Sequence, residues 1–377
     1  MRRPYFLLFL GIIGFSCSES PKNTNALEAA LSSKDSTIRR VLDHSDSYEV
    51  QIRYTQIDRI ADSIQFTDFD FQVDPDHYFY PASTVKFPAA VAALEKLNSL
   101  DTLDQKTRFY VEGDTTETSF EQAILEIFAV SDNAANNRLI EFLGFDDLNQ
   151  RMRAKGVEPL RISHRLSTTN ADDVTTKALI LYKNDTSIVL SSPIVSSPPQ
   201  ALRLQGIEKG KGFYADDSLY QEPFDFSLKN YYPIEAQHAL LKRVIFPEQF
   251  PENQRFQISE EQHRFLLSAM AALPRQAGYD SEEYFDSYGK FFIYGDTETP
   301  IPDYMNIYNK VGYAYGTLTD CAYIKDSKNQ VEFLLTATLL VNADGIFNDD
   351  QYEYDQVGIP FLAQLGREIY NYELKRY

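Results

Sequence analysis

Apolar and polar positions alternate in two early stretches, Tyr48 to Ile57 and Ile64 to Val73, with Val50, Ile52 and Tyr54 marking the first and Phe66, Phe69 and Phe71 the second. Period-two alternation of this kind predicts half-buried strands. Three further strand-like runs lie late in the chain, at Tyr308 to Tyr315, Thr317 to Ile324 and Val331 to Val341. Between these groups the apolar positions recur at helical spacing. Helices are predicted at Ser83–Leu97, Ser119–Phe128, Asn133–Leu143, Phe145–Lys155, Asp172–Lys183 and Glu260–Leu273, with Leu27–Leu42 ahead of the first strand. Gln356–Leu374 carries Phe361, Leu362, Leu365, Ile369 and Tyr372 on one side and predicts an amphipathic closing helix.

This order predicts an α+β fold in which both chain ends contribute to one antiparallel sheet packed with helices, and a helical lobe fills the middle. Residues 191–258 break the pattern: Pro193, Pro198 and Pro199 open the stretch and Lys209-Gly210-Lys211-Gly212 interrupts it. We expect an insertion with its own local structure inside one domain spanning 31–377.

Composition narrows the function. Of 377 residues 43% are hydrophobic, enough for a large core. A net charge of -19 repels phosphate backbones and excludes nucleic acid as a partner. An anionic substrate must then be held by a local cation. The five histidines, at 44, 77, 164, 238 and 263, have no metal-ligand spacing, and no cofactor is expected. Gly-x-Ser-x-Gly and phosphate-binding glycine loops are absent. Arg2 and Arg3 precede an apolar run, Tyr5 to Phe15, that is too short for a stable span and reads as an export signal over 1–16. The run ends at Gly14-Phe15-Ser16-Cys17, which resembles a bacterial lipoprotein cleavage site. That resemblance implies lipidation of Cys17, a polar tether over 17–30, and an exported protein anchored to a membrane in the periplasm or at the cell surface. Cys321, in an apolar stretch, reads as a small core residue.

The candidate chemistry starts at Pro81-Ala82-Ser83-Thr84-Val85-Lys86. A serine three residues before a lysine at a helix start puts both on one face. A hydroxyl is a weak nucleophile until a base takes its proton, and a neutral amine within hydrogen-bond reach does so. For Lys86 to be neutral near pH 7 it must titrate near 7 rather than at ~10.4, a difference of about 4 kcal/mol that burial and a second cation supply. The spacing alone is weak, since Ser287-Tyr288-Gly289-Lys290 repeats it beside a turn-like glycine. Ser131-Asp132-Asn133 adds a hydroxyl able to relay a proton to a leaving nitrogen, a helix cap, and an amide for a substrate carbonyl. Lys310-Val311-Gly312 adds a cation for a substrate carboxylate and a glycine that permits close approach to a strand.

In this order and on these elements, the three triads resemble the class A β-lactamases and penicillin-binding proteins. The resemblance covers about residues 45–375 apart from the insertion, and implies a β-lactamase/transpeptidase-like fold and an acyl-serine mechanism. It implies Ser83 as nucleophile, Lys86 as base, Ser131 as relay, and Asn133, Lys310, Gly312 and Tyr313 as substrate contacts. Backbone N–H groups at Ser83 and near Tyr313 to Tyr315 would form an oxyanion hole. The implied partner is a β-lactam or a peptidoglycan-like peptide. Two departures stand out. Arg165-Leu166-Ser167-Thr168-Thr169-Asn170 has Ser167 where the class A enzymes carry the glutamate that activates the deacylating water, and Val311 replaces a hydroxyl residue. Three functions remain open: β-lactam hydrolysis, a D,D-peptidase, amidase or esterase activity of the cell envelope, and a surface binding protein that has lost turnover.

Overall fold

A computed structural model of the protein describes residues 24–61, 63–184 and 187–376. The export segment 1–16, Cys17 and the first part of the tether lie outside the described residues. The described residues begin with α1 (Ala26–Leu31) and α2 (Ser36–Leu42), followed by β1 (Gln51–Ile60) and β2 (Ser63–Phe71). A 3-10 turn at Ala82–Val85 runs into α3 (Lys86–Asn98), then β3 (Arg108–Val111), β4 (Thr118–Ser119), α4 (Phe120–Ala129), α5 (Asn133–Leu143) and α6 (Phe145–Ala154). Strands β5 (Leu179–Asn184) and β6 (Ser187–Leu190) close a small sheet of order β4-β3-β5-β6. Short strands β7 (Glu208–Lys209), β8 (Gly212–Ala215), β9 (Ser218–Tyr220) and β10 (Phe224–Asp225) precede α7 (Ile234–Ile245) and α8 (Glu260–Ala271). The chain ends with β11 (Met305–Ala314), β12 (Thr317–Asp326), β13 (Val331–Leu340), β14 (Ile346–Phe347) and α9 (Ile359–Glu373).

Both chain ends build one antiparallel sheet of order β11-β12-β13-β1-β2, as the alternation predicts. One sheet face is covered by α1, α2 and α9 through Ile38, Val41, Phe361, Leu365 and Ile369, and the other by α7 and the helical lobe. The last residues of the expected tether are therefore part of the domain, because Ala26, Leu27 and Ala30 are buried. The helix expected over Leu27–Leu42 is two short ones. Asp35 separates them by capping α2, its carboxylate accepting from the Thr37 and Ile38 N–H groups.

Two larger differences matter for the site. The helix expected at Asp172–Lys183 does not form: residues 174–184 run extended into β5, which pairs with β3. Its carbonyls are used elsewhere, for the Arg165 guanidinium binds those of Asp173 and Thr175. The irregular stretch 191–258 divides in two. Its second half contains α7, which packs on β12, β13 and β1 and buries His238 between the hydroxyls of Thr55 (2.6 Å) and Thr336 (2.8 Å). Its first half, with β7 to β10, brings Phe224 and Phe226 against Tyr80, Tyr315 and Phe347 beside the candidate site.

Candidate active site

Ser83 sits on the 3-10 turn, not inside α3; Lys86 begins that helix. The Thr84 hydroxyl closes the turn by donating to the Pro81 carbonyl at 2.6 Å. Ala82, immediately before Ser83, has φ +47°, a left-handed conformation that costs a residue with a Cβ energy. Edge strand β11 lies directly against this turn. A Cβ built on Gly312 would stand 2.8 Å from both the Pro81 oxygen and the Ser83 nitrogen, and 2.9 Å from the Thr84 nitrogen. Glycine at 312 thus first serves the contact between strand and turn, where the sequence reading assigned it to substrate approach. Val311 faces the opposite way and is buried in the core with Leu318 and Phe291, so its missing hydroxyl changes the strand's inner side.

Three motif side chains converge. Ser131, with φ +59°, stands at the start of α5, whose N-terminus Asp132 caps by accepting from the Ala135 N–H at 2.6 Å. The Lys86 amine donates to the Ser131 carbonyl and, at 3.1 Å, to the Ser131 hydroxyl. From the other side the Lys310 amine donates to the same hydroxyl at 2.8 Å and to the Val311 carbonyl at 2.8 Å. Burial pulls the Lys86 pKa down to about 7, opposed by the nearby Asp132 charge. Lys310 is pushed well below the usual lysine range, first by burial and then by Lys86. At neutral pH a large fraction of Lys86 is therefore an uncharged amine, one turn from Ser83. Among the described residues the Ser83 hydroxyl makes no side-chain hydrogen bond, and Ser83 is partly exposed. Lys310 is only 2% exposed and lies behind Ser131, so its direct contact is with that hydroxyl.

The second Ser-x-x-Lys pair is structural. Lys290 is buried and donates to the carbonyls of Met270 and Ile307 and to Asn309 Oδ1, while the Ser287 hydroxyl donates to the Thr297 carbonyl. This cluster pins β11 from behind. Cys321 is likewise buried, with the Thr336 hydroxyl 3.3 Å from its sulfur.

The loop carrying Ser167 is fastened to one face of α5 by residues four apart. Asn133 donates to the Ser167 hydroxyl at 2.9 Å, Asn137 bonds both the N–H and the carbonyl of Leu166, and Glu141 grips the Arg165 guanidinium at 2.7 and 3.0 Å. Arg165 is 1% exposed, and it also donates to the carbonyls of Asn170, Asp173 and Thr175, which wraps the loop around its guanidinium. Asn133 thus holds Ser167 directly.

Beside Ser83 opens a cleft of about 530 Å³. Ser83, Asn133 and Ser167 line it, together with His164, Lys229, Asp350 and five tyrosines at 80, 313, 315, 352 and 354. Tyr313 stands on the lip, 47% exposed. Of these, the sequence points to Tyr313 as a substrate contact and carries His164 only among histidines without metal-ligand spacing. It missed Lys229, Tyr352, Tyr354 and Asp350. No motif marks these; their signal is the aromatic density of 213–232 and 347–354, which lacks a period because it forms a wall and not an element.

Residues 34–193 match the sequence model of the beta-lactamase enzyme family. No curated protein sequence matches the chain. Among solved structures, the chain is similar to a β-lactamase from Sphaerobacter thermophilus, at 13% identity and a TM-score of 0.53 over 92% of this chain and 96% of that one. A class A β-lactamase from Bacteroides cellulosilyticus matches at 12% identity and 0.53, over 93% and 99%. A β-lactamase from Desulfarculus baarsii matches at 15% identity and 0.52, over 91% and 97%. Identities this low carry the fold and not the reaction. By sequence residues 34–193 resemble the beta-lactamase enzyme family, and over nearly its whole length the chain shares the fold of solved β-lactamases.

Proposed function

We propose that the protein is an acyl-serine hydrolase that opens a β-lactam amide, with Ser83 as the nucleophile. The observation that carries this reading is the convergence of two buried amines, Lys86 and Lys310, on the Ser131 hydroxyl, with Lys86 brought to about 7. Lys86 takes the Ser83 proton as the hydroxyl attacks the amide carbonyl. Ser131, polarised by both amines, passes a proton to the leaving nitrogen. The N–H groups of Ser83 and of the end of β11 receive the oxyanion. Asn133 and Tyr313 contact the acyl side, Gly312 holds the strand against the turn, and Lys310 acts on the substrate through Ser131. A second reading, a D,D-peptidase or related amidase of the cell envelope, is favoured by Ser167, a hydroxyl held by Asn133 in place of a carboxylate. In either case we propose that the enzyme is exported and held at the envelope by lipid on Cys17.

The test is the turnover of a chromogenic cephalosporin as a function of pH. Lys86 is active as the neutral amine, so the acylation rate rises tenfold per pH unit below about 7 and levels off above it. Lys86→Met removes the base and lowers the rate by about 10² to 10⁴. A flat profile, or an unaffected Lys86→Met variant, rejects the assignment. Labelling by a fluorescent penicillin without turnover favours the peptidase reading, and neither labelling nor turnover favours a binding protein.

A further inference from the structure

His164 is the one histidine among the residues that line the cleft with Ser83. It is 6% exposed, and its ring lies parallel to that of Tyr80, at 7° and 6.1 Å between centroids, three residues before the nucleophile. Its backbone N–H is held by the buried Asn230 side chain at 3.2 Å. The ring Nδ1 stands 2.6 Å from the Arg165 carbonyl oxygen. A carbonyl only accepts, so Nδ1 carries the hydrogen, and in the neutral ring Nε2 is left with a lone pair. That nitrogen is buried and has no hydrogen-bond partner among the described residues. Buried polar atoms are nearly always satisfied, so an orphaned acceptor in the wall of a cleft points to a donor that enters with the working enzyme. Burial lowers the ring's pKa to about 4, opposed by the bond to the Arg165 carbonyl and by Asp172 and assisted by Lys229 and Arg161, so the ring is neutral at neutral pH and Nε2 keeps its lone pair.

An acyl group on Ser83 must be released by water, and water needs a base. Lys86 and Lys310 both donate to the Ser131 hydroxyl, and Lys86 is already the base for the Ser83 hydroxyl in the reading above. Asp350, the acidic residue in the cleft wall, is exposed and solvated. We propose that His164 Nε2 is the base that activates the water releasing the acyl group from Ser83, an assignment that rests on the acyl-serine reading above. The water oxygen bonds to the acyl carbonyl carbon as its proton passes to Nε2. The tetrahedral intermediate then collapses, the bond from carbon to Ser83 Oγ breaks, and the imidazolium returns its proton through cleft water to the serine oxygen. The acid product leaves and both side chains are restored.

The experiment measures acylation and release separately, by time-resolved intact-protein mass spectrometry with benzylpenicillin, on wild type and His164→Asn. Asparagine retains a donor for the Arg165 carbonyl and lacks the second nitrogen. Acylation is expected to stay within about threefold, while the adduct lives about 10² times longer. Hydroxylamine, a nucleophile that needs no base, is expected to release the adduct from wild type and variant at similar rates. His164→Gln provides a second comparison if the first variant folds poorly. Equal adduct lifetimes in wild type and variant overturn the proposal while leaving the acyl-serine reading intact. A parallel loss of acylation and release also overturns it, by showing a purely structural role. Failure of wild type to form any adduct overturns the acyl-serine reading and the proposal with it.

Discussion

Ser83→Ala is expected to lower β-lactam turnover by at least about 10⁴, to the level set by binding and the oxyanion hole alone. The effect is chemical and not one of stability. Ser83 is partly exposed, and its hydroxyl supports no other part of the fold among the described residues, so the variant keeps the wild-type melting temperature. What disappears is the proposed nucleophile, on the turn that runs into Lys86 and against the strand that carries Lys310. Ser131 remains, with both lysines still bonded to it, but in the proposed mechanism it serves as proton relay and not as nucleophile. Turnover within tenfold of wild type in purified Ser83→Ala would move the nucleophile elsewhere in the cleft.

The second large effect comes from a residue with no side chain. Gly312→Val is expected to cost about 1–3 kcal/mol of stability and to slow acylation by about 10² or more. The Cβ it adds would lie 2.8 Å from backbone atoms of Pro81 and Ser83, closer than real Cβ contacts occur, and backbone cannot swing aside as a flexible side chain does. Either β11 moves away from the turn or the turn is pushed toward the cleft. Each displaces Ser83 relative to Lys310 and Tyr313 by a fraction of an ångström or more, and acyl transfer depends on alignment at that scale. Thermal melting and the acylation rate measured side by side separate the two losses. If Gly312→Val acylates like wild type, then the contact between β11 and the Ser83 turn is not what sets the site.

The motif residues were legible in the chain because each lies at a local landmark: a turn into a helix for Ser83 and Lys86, a helix cap for Ser131 to Asn133, and an edge strand for Lys310 to Gly312. The main sheet was legible for the same reason, since alternation such as Val50, Ile52 and Tyr54 is a local signal. Failures arose where distant residues decide. The apolar spacing of 172–183 suits a helix, but Arg165, fixed by Glu141 on α5, takes the carbonyls of Asp173 and Thr175 and holds that stretch extended. In the opposite direction, Ile234, His238, Leu241 and Ile245 repeat at helical spacing directly after Pro233, a start signal hidden by the aromatics around it. Lys310 lies on the strand its alternation predicts, yet its depth behind Ser131 follows from packing that no spacing reports. The tyrosine wall depends on the first half of the 191–258 stretch, which pairs with β14 and packs through Phe224 on Tyr315 and Phe347, contacts that only the folded chain makes.

The central claim is a covalent one, and peptide mapping of the penicillin-treated wild-type protein tests it most directly. The account predicts a mass increase of one intact penicillin, confined to the peptide that contains Ser83. An adduct mapped to Ser287, to Ser131 or to any residue outside the cleft would contradict it, as would a fully unmodified protein under conditions where the fold is intact.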